Sequence, residues 1–110
     1  MREILNTIKN YDTIIIHRHS RPDMDAIGSQ VGLKLTLKEM FPEKNIYVVG
    51  DVNNMSYHAV MDDVSDDKYQ DALAIITDVS VSRMISDERY KFAKDRIIIE
   101  NKLAYAIYDG

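Results

Sequence analysis

Thr13-Ile14-Ile15-Ile16-His17-Arg18-His19-Ser20-Arg21-Pro22-Asp23-Met24-Asp25-Ala26-Ile27-Gly28-Ser29 is the stretch on which the fold turns. Its first four residues are β-branched and three of them are apolar without interruption. That pattern suits a strand covered on both faces, as in a parallel sheet between helices. His17 to Pro22 is polar and continues neither a strand nor a helix pattern. Pro22 disfavours helical geometry at Arg21, and a helix can begin just after it. From Asp25 to Phe41 the spacing predicts that helix, stopped by Pro42. Gln30, Lys34 and Lys38 recur every four residues as one narrow polar stripe. Val31, Leu33, Leu35, Leu37 and Met40 occupy the other faces with Gly28 and Gly32, which predicts a largely buried helix whose glycines allow close backbone approach.

Outward from this core, Ile4, Leu5, Ile8 and Tyr11 fall at helical spacing. Asn45-Ile46-Tyr47-Val48-Val49-Gly50 reads as a second buried strand ended by glycine. Residues 51–71 are polar and irregular, with one helical turn around Met55 to Met61. Asp62, Asp63, Asp66 and Asp67 form an acidic cluster that reads as a solvated loop without a role. Ala72 to Thr77 is a third strand, stopping at Asp78. Asp87 to Lys94 looks helical with Tyr90 and Ala93 inward, and Ile97-Ile98-Ile99 is a fourth strand. The tail from Leu103 to Gly110 suits helix or strand equally. Strands alternating with helices predict an α/β fold: a mostly parallel sheet flanked by helices, a Rossmann-like three-layer sandwich with right-handed crossovers.

A length of 110 residues allows one small domain, and 45% hydrophobic with 29% charged residues is globular rather than disordered. Fourteen basic against eighteen acidic residues give a net charge of -4, which excludes a broad basic surface for duplex nucleic acid. The absence of cysteine excludes disulfides, thiolate catalysis and thiolate zinc sites. No apolar run approaches the roughly 18 residues of a membrane span. The N-terminus carries an acid and no apolar signal core, so the expected location is the cytoplasm.

In open parallel sheets, ligands bind beyond the carboxyl ends of the strands. Those ends lead into His17 to Asp25, into Asp78, and into Glu100-Asn101-Lys102, so all three should converge on one edge. His19, Asp23, Asp25 and Asp78 make a hard-oxygen set with an imidazole, suited to Mn²⁺ or Mg²⁺. Other uses exist for each residue singly. Asp23 and Asp25 stand where carboxylates cap a helix start, Asp78 where a turn residue stands, and His17 and His19 suit surface or hydrogen-bonded histidines. The coincidence of four ligand-type residues at the ends of one sheet favours a metal site.

The strand followed by His19-Ser20-Arg21-Pro22-Asp23-Met24-Asp25-Ala26-Ile27-Gly28-Ser29 resembles the first motif of the DHH phosphoesterase family, His-x-x-Pro-Asp-x-Asp-Ala-x-Gly-Ser, at every specified position. The form Arg-Pro-Asp-x-Asp-Ala-Ile-Gly-Ser-Gln is most similar to the branch that degrades very short RNA and dephosphorylates 3′-phosphoadenosine 5′-phosphate. The resemblance implies two divalent ions, usually Mn²⁺ with Mg²⁺ as the alternative, on His19, Asp23, Asp25 and Asp78. Asp25 and Asp78 would lie between both ions as the catalytic carboxylates. Asp78 matches the second motif, with Arg83 fitting the segment after it. The implied partners are short oligonucleotides or nucleotides, with neither duplex nucleic acid nor membrane.

Two departures accompany the match. Where the family has Asp-His-His after the fourth strand, this chain has Glu100-Asn101-Lys102. Glu100 keeps a carboxylate, Asn101 offers a weaker amide ligand, and Lys102 stands where an imidazole approaches phosphate. The family's fourth metal-binding Asp and its glycine-rich substrate-binding domain have no counterpart here. The expectation is a partial DHH domain over residues 1–110, a metal-dependent phosphoesterase with weak or absent turnover. The alternative is a non-catalytic binding or assembly module that keeps the α/β core, with self-association through exposed apolar surface.

Overall fold

In a computed structural model that describes residues 2–18, 24–50, 61–77 and 87–99, the isoleucine run forms β1, Thr13–Arg18. The other strands are β2, Asn45–Val48, β3, Leu73–Thr77, and β4, Asp95–Ile99. All three pairings are parallel and the order is β2-β1-β3-β4. The expected α/β architecture is therefore present. β1 runs two residues past the expected boundary because His17 and Arg18, though polar, are fully buried and pair with β3 opposite Ile76 and Thr77.

Side chains alternate across a strand, so the sheet needs cover on two faces. On one face Ile14, Ile16, Leu73 and Ile75 meet Ile8 of helix α1, Arg2–Lys9, and Leu33 and Leu37 of helix α2, Met24–Met40. On the other, Ile15 packs with Val49, Val64, Tyr69 and Ala72, and Ile76 with Tyr90. That second face is covered by two 3-10 turns, Asp66–Tyr69 and Glu88–Phe92. The latter replaces the helix expected from Asp87 to Lys94. Tyr90 and Ala93 do pack inward. The helical turn expected near Met55 and the tail after Leu103 lie outside the described residues.

The stripe on α2 differs from a solvated one. Gln30 is fully buried, Lys34 pairs with Asp62 at 2.9 Å, and Lys38 Nζ donates to the Lys44 carbonyl at 2.6 Å. The three polar heads tie the helix to β2 and to the segments beside it, while Leu35 (63% exposed) and Met40 (47%) face outward. A Cβ on Gly28 would meet nothing within 4 Å among the described residues, so no close approach explains that glycine. The acidic cluster also has a role. Asp62 accepts from the Val48 amide and from Lys34, and Asp66 pairs with Arg89. Among the described residues no helix is long and apolar enough to cross a membrane.

Candidate functional site

Parallel register sets the strand ends level. Arg18 of β1 stands opposite Thr77 of β3, and Thr77 opposite Ile99 of β4. These three residues form the last described row of the sheet. His19, Asp78 and Glu100 follow these three residues in the sequence. Thr77 fastens the row, its hydroxyl donating to the His17 carbonyl at 3.3 Å.

Gln30 brings the start of α2 to this rim. Its amide nitrogen donates to the carbonyls of Ile16 and Val49, both at 2.7 Å, and its oxygen accepts from Arg18 Nε at 3.1 Å. One side chain thereby satisfies the carbonyl of β1 and that of the residue following β2, and helps hold a buried guanidinium. Gly50 completes the arrangement. Its φ of +143° is open to glycine, and a Cβ there would lie 2.8 Å from Arg18 Cζ. Asp25 is the second residue of α2, five positions before Gln30.

The opposite sheet face carries a second polar assembly. His17 is fully buried, with Nε2 3.2 Å from the Tyr69 hydroxyl and its ring edge-on to Tyr90 at 6.0 Å. Its Nδ1 has no hydrogen-bond partner of normal geometry among the described residues. Burial lowers its pKa to about 4, against the opposing pull of Asp87, so the ring is neutral at pH 7. Burial pushes the Tyr69 hydroxyl well up, with the Asp87 charge adding to it. Asp87 is itself half-buried, which raises its pKa, but the hydrogen bonds from Arg89 outweigh that and the carboxyl lies below its usual range.

The structure brings Asp25 into a helix whose start is tied to the rim; its side chain lies outside the description. His19, Asp23, Asp78, Arg83, Glu100, Asn101 and Lys102 lie outside the described residues. Among those described, no three His, Asp or Glu side chains form a group able to hold a metal ion. A cavity of about 370 Å³ opens beside the end of β2; among the described residues it is lined by the acids Asp62, Asp63, Asp87 and Glu88 and by the cation Arg89. Sequence reasoning missed Gln30, Tyr69, Asp87 and Arg89. The one available signal was Arg18 itself, since an arginine entering a buried strand needs an acceptor.

The sequence profile described as DHH family, N-terminal domain, matches residues 13–107. The chain is 51% identical over 90 residues to the probable bifunctional oligoribonuclease and PAP phosphatase NrnA of Streptococcus mutans, covering 81% of this chain and 29% of that protein. It is 47% identical over 89 residues to the bifunctional oligoribonuclease and PAP phosphatase NrnA of Bacillus subtilis, covering 80% and 28%. A relative of the same name in Mycoplasma genitalium is 35% identical over 86 residues. The chain thus spans less than a third of the length of these curated relatives.

Proposed function

The chain belongs to the DHH family, and from that premise we propose that it is a metal-dependent phosphoesterase domain acting on short oligoribonucleotides or on 3′-phosphoadenosine 5′-phosphate. The names of its relatives support that substrate class. The level row Arg18, Thr77 and Ile99 is the observation that carries the reading, because it makes His19, Asp78 and Glu100 successors of adjacent strands.

His19, Asp23, Asp25 and Asp78 are the residues that would hold two divalent ions, Mn²⁺ in preference to Mg²⁺, and one imidazole with three carboxylates fits such hard cations. Bound there, the ions would polarise a phosphate oxygen and lower the pKa of an attacking water. Gln30, five residues after Asp25 on α2, ties that helix to β1 and to the residue after β2. Lys102 offers a positive charge to a substrate phosphate. With Glu100-Asn101-Lys102 in place of Asp-His-His, turnover by this chain is weak.

Hydrolysis of a diribonucleotide and of 3′-phosphoadenosine 5′-phosphate with added Mn²⁺ tests the reading. Asp25→Ala and Asp78→Ala are expected to lower the rate at least 100-fold while the fold is kept. Activity that both variants retain overturns the assignment. A second reading is favoured by the altered third motif: a non-catalytic module that binds without hydrolysing. Calorimetry separates the two, since a module of that kind takes up no Mn²⁺ at millimolar concentration.

A further inference from the structure

Arg89 commits all three guanidinium nitrogens to neighbours. Nε and Nη2 donate to the two Asp87 oxygens at 3.0 and 2.8 Å, and Nη1 donates to Asp66 Oδ1 at 2.9 Å and to the Val64 carbonyl. The Asp87 side chain also accepts from the Arg89 amide, capping the 3-10 turn it precedes. The guanidinium lies 5.0 Å over the Tyr69 ring. Tyr69 is fully buried and its hydroxyl meets His17 Nε2. A continuous line Asp87–Arg89–Tyr69–His17 results, built from a bidentate fork, a cation over an aromatic ring and a buried hydrogen bond.

The two ends of this line matter. His17 is two residues before His19, and Asp87 is the first described residue after the segment 78–86 that begins with Asp78. Arg89 also holds Val64 and Asp66, so the return from β2 is tied to the same point. We propose that Arg89, Tyr69 and His17 are positioning residues that hold the end of β1 and the chain at Asp87 against one sheet face, and that the chain's affinity for a divalent ion depends on them. This rests on the phosphoesterase reading. None of the three touches substrate. Loss of a group bonded directly to a metal ligand weakens the metal about 10- to 100-fold; these three act one step further out, through the backbone, so the lower end of that range is expected.

Tyr69→Phe removes one oxygen and keeps the ring, and Arg89→Lys keeps the charge and loses the fork. Tyr11→Phe serves as the control, since its hydroxyl donates to Asp95 at the far end of the sheet. Mn²⁺ titration of the chain is expected to show at least tenfold weaker binding in Tyr69→Phe and Arg89→Lys and none of that loss in Tyr11→Phe, with all three variants folded by circular dichroism. Without metal, the His17 ring-nitrogen NMR signals are expected to move in Arg89→Lys, although Arg89 makes no hydrogen bond to His17. Unmoved ring signals overturn the line itself. Wild-type binding that both variants retain overturns the positioning role alone. A wild-type chain that takes up no Mn²⁺ overturns the phosphoesterase reading, and the positioning role falls with it.

Discussion

His17 sits fully buried among Tyr69, Tyr90, Asp87 and Arg89, and burial holds its pKa at about 4 against an ordinary 6.5. In the unfolded chain the imidazole takes up its proton near pH 6.5, whereas in the folded chain it stays neutral until about pH 4. Between those values the unfolded state binds more protons, so stability is lost as the pH falls through that window. The loss is about 3 kcal/mol at 1.36 kcal/mol per pH unit. Asp87 acts lower, because a depressed carboxyl stabilises above its unfolded pKa and gives that up only below it. Urea unfolding of the metal-free chain at pH 7, 5.5 and 4.5 should show the decline, and His17→Gln should flatten it; an unchanged slope assigns the effect elsewhere. Gln30 offers a second single-residue test. Gln30→Leu keeps bulk but removes the side-chain donor to the Val49 carbonyl, one of the two donors to the Ile16 carbonyl, whose other is the Val49 amide, and the acceptor of Arg18 Nε. The expected cost is roughly 2–4 kcal/mol, read as a lower urea midpoint, and a loss under 0.5 kcal/mol would contradict the role given to Gln30.

Elements show where sequence patterns inform and where they stop. Ile14-Ile15-Ile16 and Ala74-Ile75-Ile76 announced their strands because β-branched runs have few other uses. The end of β1 was not legible, since nothing in His17-Arg18 says that both are buried, with partners on segments as distant as Gln30 and Tyr69. What the polar stripe on α2 bonds to was not legible for a related reason. Gln and Lys facing water and Gln and Lys reaching for carbonyls leave the same period in a sequence. The first DHH motif was legible as a motif, while the residues proposed to support it come from segments far apart in the chain, at positions 30, 69 and 87–89. Gly50 belongs to this scale because it ends the β2 segment. Gly50→Ala introduces a Cβ 2.8 Å from the Arg18 guanidinium at a φ of +143°. The expected destabilisation is about 1–3 kcal/mol, measured by urea unfolding. Gly28→Ala, on an exposed helical position with open space at the Cβ, should stabilise by about 0.4–1 kcal/mol. Equal effects at the two glycines would refute the argument.

At the scale of the whole molecule, a parallel sheet has two unlike ends. The N-terminal end of the strands carries a cavity of about 460 Å³ bordered by Asn10, Tyr11, Asp12, Thr13, Asp71 and Lys94, so carboxylates occur there as well. Charge alone therefore does not choose an end, and both ends stand level; what favours the carboxyl end is that its strands lead into His19, Asp78 and Glu100, on the side where open parallel sheets bind ligands. A ligand that binds the folded chain and not the unfolded one stabilises it by mass action, by about 2.7 kcal/mol at 100 times its dissociation constant. For a domain of this size that raises the melting temperature by on the order of 10 °C. Mn²⁺ should produce such a shift and a chelator should reverse it. Asp25→Asn should abolish the shift, while Asp71→Asn, at the other end of the sheet, should leave it intact. The opposite pattern, with the shift surviving Asp25→Asn and vanishing in Asp71→Asn, would place the cation at the amino end and would detach the motif around Asp25 from any role in holding metal.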